Sequence, residues 1–195
     1  MKRIRKASLV LAIVAAVAIL VEPMAAAMKI QVDFIPEFDF SKAKTWGWNA
    51  KAPGQIVLAR SGNDDVEAVR KLADPVIMDV VATEMPARKL TKADASPDLT
   101  LQYFMLLTVG QTAQELGQFV GTVNQWALPP WGRSTTSLEA IQNGSVVLDM
   151  SAEGKVVFRG VARAEMKLDA SPEKREKLLR EAVTGILKQF PPKKK

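Results

Sequence analysis

The alternation of hydrophobic and polar residues predicts several β-strands. Residues 28–34 alternate charged or amide side chains with apolar ones, which is the period of a strand with one buried face. Trp46 and Trp48 lie two positions apart, so we expect both on one face of a second strand, in the core. At most a short extended piece is predicted at residues 55–59. The longest strand is predicted at residues 98–110, and its two largely apolar faces place it in the middle of a sheet.

Residues 135–164 carry three further strand patterns, which predict an antiparallel meander. The first turn of this meander contains Asn143-Gly144, a pair that tolerates the positive φ angles of a tight hairpin. In the third strand, we expect Val156 and Gly160 on one face and Arg159 on the other, because side chains alternate along a strand.

Two regions have the periodicity of amphipathic helices. The first region is predicted to form one helical segment at residues 64–73 and a second that begins at Asp74-Pro75, where an N-cap aspartate precedes an N1 proline. Pro86 is expected to kink or end that second segment. The other helix is predicted over residues 171–190. The order of elements favours an α/β (α+β) two-layer sandwich, with a mostly antiparallel sheet of about five or six strands and two main helices on one face.

Residues 1–27 have the organisation of a cleavable signal peptide. A basic region precedes an uncharged apolar run of 15 residues at 7–21, and Ala25-Ala26-Ala27 offers small residues for cleavage. An uncleaved anchor is the alternative, but this run is shorter than the ~20 residues that span a bilayer, and Glu22-Pro23 interrupts its extension. Cleavage after Ala27 is the favoured interpretation. It predicts a periplasmic or secreted protein with no transmembrane segment after signal removal.

The rest of the chain is predicted to be a single domain at residues 28–192, followed by a basic tail at 193–195. Removing residues 1–27 takes away four cations and one anion, so the formal net charge falls from +6 to +3. The remaining body is nearly neutral, which argues against binding to nucleic acid. The chain has no cysteine. It therefore has no disulfide to support the fold, and no lipid is expected on a cysteine.

The absence of histidine and cysteine excludes the usual zinc ligands, thiolate nucleophiles and Ser-His-Asp triads. No cofactor or metal site is predicted. Two Ser-x-x-Lys patterns begin at Ser41 and Ser171, but this number is close to chance, and Ser171 is better explained as a helix cap. The sequence therefore favours a protein that is not an enzyme.

Three aspartates offer an alternative. Asp39, Asp98 and Asp149 lie at or near predicted strand ends, where paired carboxylates can hydrolyse a glycoside. This pattern is compatible with a carboxylate-based hydrolase of an envelope glycan. The favoured interpretation is structural: such residues more often bind turn amides or face water.

Residues 111–134 are rich in glycine and proline and contain Trp126 and Trp131. These tryptophans are compatible with an exposed aromatic platform for a partner protein or ligand. The other interpretation, which is slightly favoured, is that both fold back over the end of the sheet.

Several short motifs occur in a fixed order: residues 38–48 (FDFSKAKTWGW), Pro97-Asp98-Leu99, residues 143–149 (NGSVVLD), residues 157–162 (VFRGVA) and Phe190-Pro191-Pro192. Over residues 30–192 this ordered set resembles the family catalogued as domain of unknown function 4136, found in bacterial envelope proteins and lipoproteins. Ala43 stands where the family usually has an aromatic residue, Phe158 replaces a common tryptophan, and the lipobox cysteine is missing. The resemblance implies an envelope domain without an established activity, and it transfers no catalytic residue. The motif residues that we interpret as structural are Asp39, Trp46, Trp48, Asp98, Asp149 and Gly160.

The sequence thus predicts an exported, non-enzymatic envelope domain. Its partner is an unknown envelope protein or ligand, which binds either at residues 111–134 or at an open edge of the sheet.

Overall fold

The computed structural model describes residues 28–59, 66–108, 144–164 and 170–193. The predicted signal peptide, the segment that contains Trp126 and Trp131, and the first strand of the predicted meander lie outside these ranges. The described residues form seven strands and two helices of an open α+β fold, which confirms the predicted fold class.

The strands in chain order are β1 Lys29–Phe34, β2 Thr45–Trp48, β3 Gly54–Ala59, β4 Thr91–Lys92, β5 Leu99–Thr108, β6 Ser145–Ala152 and β7 Lys155–Arg163. The helices are α1 Val66–Glu84 and α2 Pro172–Lys188, and 3-10 turns form at Phe40–Lys42 and Pro86–Arg88.

The sheet is mixed, with parallel strands added to a larger antiparallel part, and the described residues form seven strands where five or six were predicted. Its order is β1-β7-β6-β5-β2-β4. Strand β3 pairs with residues 103–108 of β5, next to the part of β5 that pairs with β2. The first four strands of this order pair antiparallel, whereas β2 and β3 both run parallel to β5. Parallel pairs arise because the chain crosses over through α1 between β3 and β5. The long strand β5 has partners along both sides, as its apolar faces predict.

Both helices pack on one face of the sheet, which we call the helix face. A Cβ atom added at Gly160 of β7 would lie 2.1 Å from Cγ2 of Ile186 in α2, so these two positions are in direct contact. Burial of each large apolar side chain contributes about 1.5–3 kcal/mol. The largest fully buried side chains of the helix-face core are Trp46, Ile77, Met85, Leu99, Leu101, Tyr103, Leu148, Met150, Phe158 and Ile186.

Helix α1 is continuous through Pro75, so the prediction of two separate segments was wrong. Ala73, Val76 and Ile77 are buried on both sides of the proline, whereas Pro75 itself is exposed. Continuous core packing therefore outweighs the backbone hydrogen bond that proline cannot make. The side chain of Asp74 accepts a hydrogen bond from a tyrosine of β5 instead of capping a new helix. Helix α1 does end before Pro86, as predicted.

Helix α2 begins and ends where its sequence signals predict. Ser171 is the N-cap, and its hydroxyl accepts a hydrogen bond from the backbone N–H of Lys174 at 3.4 Å. At the other end, the guanidinium of Arg88 donates to the carbonyl oxygen of Leu187 at 2.6 Å and 2.8 Å, and to that of Phe190 at 3.1 Å. A cation at this position complements the negative end of the helix dipole. Arg88 thus ties the end of α2 to the turn after α1.

A β-bulge between β6 and β7 changes which valine joins the core. The register shifts between Met150 and Ser151, and Val157 belongs to the helix-face cluster with Phe158. Val156, which the simple alternation places beside Gly160, is buried but lies outside that cluster. The extra residue at a bulge reverses the facing of the side chains beyond it.

Candidate functional site

The face of the sheet opposite the helices, here called the far face, carries a row of polar side chains. Because Gly160 points to α2, its neighbour Arg159 points to the far face. The strand registers place Arg159 of β7 between Asp33 of β1 and Asp149 of β6, and they place Gln102 of β5 beside Asp149. Four neighbouring strands therefore contribute one polar residue each at the same level.

The centre of this row is a buried ion pair. Arg159 Nε donates to Asp149 Oδ1 at 2.7 Å and Nη2 donates to Oδ2 at 2.6 Å, which is the paired geometry that guanidinium and carboxylate favour. The side chains are only 4% and 1% exposed. Burial raises the pKa of Asp149, and the bonds from Arg159 offset part of that rise. The expectation that Asp149 binds a turn amide or faces water was wrong, because it lies inside β6 rather than at its end.

The row continues to the end of β2, where Asn49 Nδ2 donates to Gln102 Oε1 at 3.4 Å. On its other side lie the buried apolar residues Phe104, Val147 and Val161, which the registers place next to one another. A one-residue slip of β6 would turn Asp149 to the other face of the sheet, away from Arg159, and would bury the Asp149 charge unpaired. The row therefore specifies strand register.

Asp98 joins β5 to the segment before β2. Its Oδ2 atom accepts hydrogen bonds from the backbone N–H of Lys44 at 2.8 Å, from the Thr45 hydroxyl at 2.8 Å and from the Thr45 backbone N–H at 2.9 Å. The amide of Lys44, followed by the Thr45 hydroxyl and amide, holds the pKa of Asp98 below its usual range. This carboxylate binds backbone amides, the role that strand-end aspartates most often have.

Asp39 has a comparable local role at the N-terminus of the first 3-10 turn. Its Oδ1 atom accepts from the Ser41 backbone N–H at 3.2 Å and from the Ser41 hydroxyl at 2.7 Å. Lys44 Nζ donates to the carbonyl oxygen of Ser41 at 2.8 Å rather than to its hydroxyl. This Ser-x-x-Lys pair is therefore not arranged as a nucleophile with its base.

The aromatic motif residues lie against β5. Trp46 is 2% exposed, and Trp48 is half-buried with its ring edge-on to Trp46 and to Tyr103. The hydroxyl of Tyr103 donates to Asp74 Oδ1 of α1, and burial, followed by this hydrogen bond, raises the pKa of the tyrosine. The ring of Tyr103 also covers Gly54, where a Cβ atom would overlap it. Together these residues clamp β2, β3 and α1 to the central strand.

The three candidate carboxylates are thus engaged with separate partners: Asp39 with Ser41, Asp98 with the start of β2, and Asp149 with Arg159. Within the described ranges, no group of three or more acidic side chains could hold a metal ion. An apolar cavity of about 30 Å³ between β6 and α2 is smaller than any substrate. An open groove of about 710 Å³ runs between the two helices, and the pair formed by Arg180 and Asp79 bridges it.

The outer edge of β1 is the other polar feature of the sheet. β1 ends the strand order, so among the described strands it pairs with β7 alone. The N–H of Ile35 donates to the carbonyl oxygen of Val157 at 2.9 Å, so the odd-numbered residues of β1 are the ones whose backbone groups bond to β7. It follows that Ile30, Val32 and Phe34 direct their backbone groups outward, away from β7.

One of these outward donors already has a partner within the chain. The Asp33 Oδ1 atom accepts from the N–H of Phe34 at 2.9 Å. The hydrogen-bonding groups of this edge are therefore the N–H and C=O of Ile30 and Val32. Ile30 is the large apolar side chain with the greatest exposure among the described residues, at 36%.

Two arginines that organise the fold were not identified as functional from sequence. The strand pattern placed Arg159 on one strand face without a partner, and no role was predicted for Arg88. An arginine in the middle of the apolar strand of residues 155–163 is a signal of a buried ion pair, because lone charges are almost never fully buried. The predicted platform residues Trp126 and Trp131 lie outside the described residues.

The model of one protein family, described as Domain of unknown function (DUF4136), matches residues 30–192. The chain belongs to the DUF4136 family. The match starts inside β1 and ends after α2, so the strands and helices that the structure describes all belong to one DUF4136 unit. No curated protein sequence matches the chain.

Two solved structures are similar to this chain. A PDZ domain protein from Parabacteroides distasonis is similar with a TM-score of 0.52 and 17% identity, over 85% of this chain and 36% of that chain. The DUF4136 chain therefore spans about a third of that protein's length. A DUF4136 family protein from Bacteroides thetaiotaomicron is similar with a TM-score of 0.49 and 17% identity, over 84% of this chain and 96% of that chain. Among the helices that the structure describes, none has the length and hydrophobicity needed to cross a membrane.

Proposed function

We propose that this DUF4136 chain is an exported, non-enzymatic envelope domain that binds an extended segment of a partner at the outer edge of β1. The observation that carries the proposal is the set of outward backbone groups on Ile30 and Val32. An added strand makes main-chain hydrogen bonds to such an edge, and alternate side-chain pockets give it specificity.

The opposite side of the sheet supports the choice of β1. There β4 has only two residues, Thr91 and Lys92, both of them exposed, and a strand of that length offers few backbone groups. β3 lies on the same side, and its Gly54 carbonyl oxygen already accepts a hydrogen bond from Arg70 of α1 at 3.2 Å. β1 has six residues, and its Val32 and Phe34 side chains pack against the core, so the edge is held in an extended conformation before a partner arrives. A pre-ordered edge lowers the entropic cost of binding.

Export is supported by the signal-like pattern of residues 1–27, and β1 begins two positions after the predicted cleavage site at Ala27. Fractionation of cells that express the whole chain, combined with an intact mass, tests this part. We expect envelope or secreted material whose N-terminal residue is Met28. Full-length protein confined to the cytoplasm would contradict it.

The engagement of Asp39, Asp98 and Asp149 with separate structural partners supports a non-enzymatic function. Peptidoglycan fragments are the appropriate substrates for a test, with each aspartate mutated singly. We expect no turnover by the wild type. Turnover that one of these mutations abolishes would favour the glycan hydrolase instead.

The test of the binding edge is photo-crosslinking of the full chain in its own envelope. A photoreactive residue at Gln31, which is exposed on β1, is expected to form discrete adducts. Val32→Pro removes an outward N–H but no hydrogen bond between β1 and β7, so it should abolish the adducts. Val32→Ala keeps this N–H and should still form them. A photoreactive residue at Lys177, exposed on α2, is the control position. Equal adducts at both positions, or none at Gln31, would contradict edge binding.

Trp126 and Trp131 are proposed to add side-chain contacts to the same partner, since aromatic residues dominate binding hot spots. Replacement of both by alanine is expected to leave the fold intact and to reduce the adducts formed at Gln31. Loss of the fold in this double mutant would place the two tryptophans in the core.

A further inference from the structure

We infer that the strand which pairs with β1 is β1 of a second copy of the chain, so that two sheets join into one across a twofold axis. This inference rests on the proposed edge-binding function and specifies its partner. It follows from the backbone geometry, the charges and the apolar face of β1, which are all self-complementary in one antiparallel register.

The backbone of β1 meets the geometric requirement. Along two antiparallel strands, facing residues that are joined by two backbone hydrogen bonds alternate with facing residues that share none. If Gln31 faces Gln31 of the second copy, Ile30 of each copy faces Val32 of the other. These are the two residues whose N–H and C=O groups point outward. All four groups of each copy are then satisfied, while Phe34 keeps its bond to Asp33.

The charges select the same register. With Gln31 at the twofold axis, Lys29 of each copy lies directly opposite Asp33 of the other, on the far face. These are pairs without backbone bonds, in which side chains approach most closely. A register centred on Val32 would place Asp33 opposite Gln31 and would require the N–H of Phe34, which Asp33 already binds. A register centred on Ile30 would place Lys29 opposite Gln31, which carries no charge, instead of opposite an acidic residue.

The helix-face side chains complete the match. Ile30 is 36% exposed and contacts Gly185 of α2, which has no side chain of its own. In the proposed pair, Val32 of the second copy lies across from Ile30 and covers the exposed part of its side chain. Pairing thereby removes from water the side chain of Ile30, the most exposed large apolar residue among those that the structure describes.

A cysteine placed at the twofold axis tests this register. The natural chain has no cysteine, so Gln31→Cys adds the only thiol. Opposed residues without backbone bonds have Cα atoms about 4.5 Å apart, which lies within the ~4.4–6.8 Å span of disulfides. We expect mild oxidation of the exported protein to link Gln31→Cys into a covalent dimer.

Lys29→Cys is the matched control, because Lys29 is equally exposed on the same strand. Its Cα atom would lie four residues, about 14 Å, from its own symmetry mate. The single mutant should therefore form at least ~10-fold less covalent dimer than Gln31→Cys, since only the axial thiols have a high effective concentration. The double mutant Lys29→Cys, Asp33→Cys should link efficiently. Equal linking of the two single mutants would overturn the register.

A backbone variant tests the same contact without a covalent bond. Val32→Pro deletes half of the proposed intersubunit hydrogen bonds, while Val32→Ala keeps them. Sedimentation equilibrium should show the dimer dissociation constant of Val32→Pro raised at least ~10-fold over that of Val32→Ala. Retention of the wild-type dissociation constant by Val32→Pro would overturn the inference.

The crosslinking experiments separate this inference from the proposed function. One outcome is that photo-crosslinking at Gln31 captures a different protein while the Gln31→Cys variant stays monomeric. This outcome would support edge binding and overturn self-pairing. Failure of both the adducts and the disulfide would overturn both proposals.

Discussion

Thr45 and Asp98 hold each other through reciprocal hydrogen bonds although 53 positions separate them in the chain. The hydroxyl of Thr45 donates to Asp98 Oδ2 at 2.8 Å, and the same hydroxyl oxygen accepts from the backbone N–H of Asp98 at 2.9 Å. The pair fixes the start of β2 beside the start of β5, where Trp46 faces Leu99. The motif at residues 38–48 is attached to the central strand at this point.

The first prediction concerns pH. The bonds from Lys44 and Thr45 lower the folded-state pKa of Asp98 below the ordinary value of 3.8. Ionised Asp98 therefore stabilises the fold above the unfolded-state value, and this contribution is lost as the pH falls through the folded-state value. Asp98→Asn should lower the urea midpoint at pH 7, and the difference from wild type should shrink as the pH falls below the ordinary carboxyl value of 3.8. A difference that is independent of pH would show that charge has no role.

The hydroxyl of Thr45 can be tested separately. Thr45→Val keeps the shape of the side chain but removes both reciprocal bonds, so it should lower the Tm. Thr45→Ser keeps the hydroxyl and serves as the matched control. If the two variants melt together, the reciprocal bonds do not contribute to stability.

The buried pair of Asp149 and Arg159 leads to a prediction about non-additivity. Removing one partner breaks the buried pair, so Asp149→Leu and Arg159→Met, made singly, are each expected to cost about 3–5 kcal/mol of unfolding free energy. Replacing both by apolar residues, as in Asp149→Leu with Arg159→Met, should cost much less, because no unpaired charge remains in β6 or β7. Chemical denaturation of the two single variants and the double variant measures this cycle. Additive losses would contradict the pair as described.

The contact of Gly160 with Ile186 predicts an overpacking defect. A Cβ atom at position 160 would lie 2.1 Å from Cγ2 of Ile186, so Gly160→Ala should cost about 1–3 kcal/mol as α2 shifts away from β7. In an Ile186→Ala background the same change should cost clearly less, because the clashing methyl group is gone. A cost that is equal in both backgrounds would exclude the clash as the cause.

The contacts of Arg88 lead to the prediction that lysine cannot replace arginine at this position. Its planar fork reaches two carbonyl oxygens at the end of α2 and the carboxylate of Glu84, a geometry that lysine cannot reproduce. Arg88→Lys should therefore destabilise the protein nearly as much as Arg88→Ala, by about 1.5–3 kcal/mol. Lys177→Ala, on the exposed face of α2, should leave the Tm unchanged. Full stability of Arg88→Lys would mean that charge alone caps the helix.

The sequence by itself was sufficient for the local elements. Period-two alternation predicts β1 and β5, the proline and N-cap signals predict both ends of α2, and Pro86 predicts the end of α1, because each signal acts within a few residues of chain. The ordered motifs also predict the DUF4136 family. Apolar spacing is enough to assign Trp46 to the core.

Only the tertiary structure decided how these elements meet. Whether Pro75 breaks α1 depends on the burial of Ala73 and Val76 around it, and packing energy of that kind is not a local property. The parallel pairing of β2 and β3 with β5, the partner of Asp149 and the bulge that turns Val157 inward depend on contacts across neighbouring strands. The position of β1 also depends on such contacts. The strand pattern of residues 29–34 is compatible with an edge or a central position, and only the order of the described strands places β1 last.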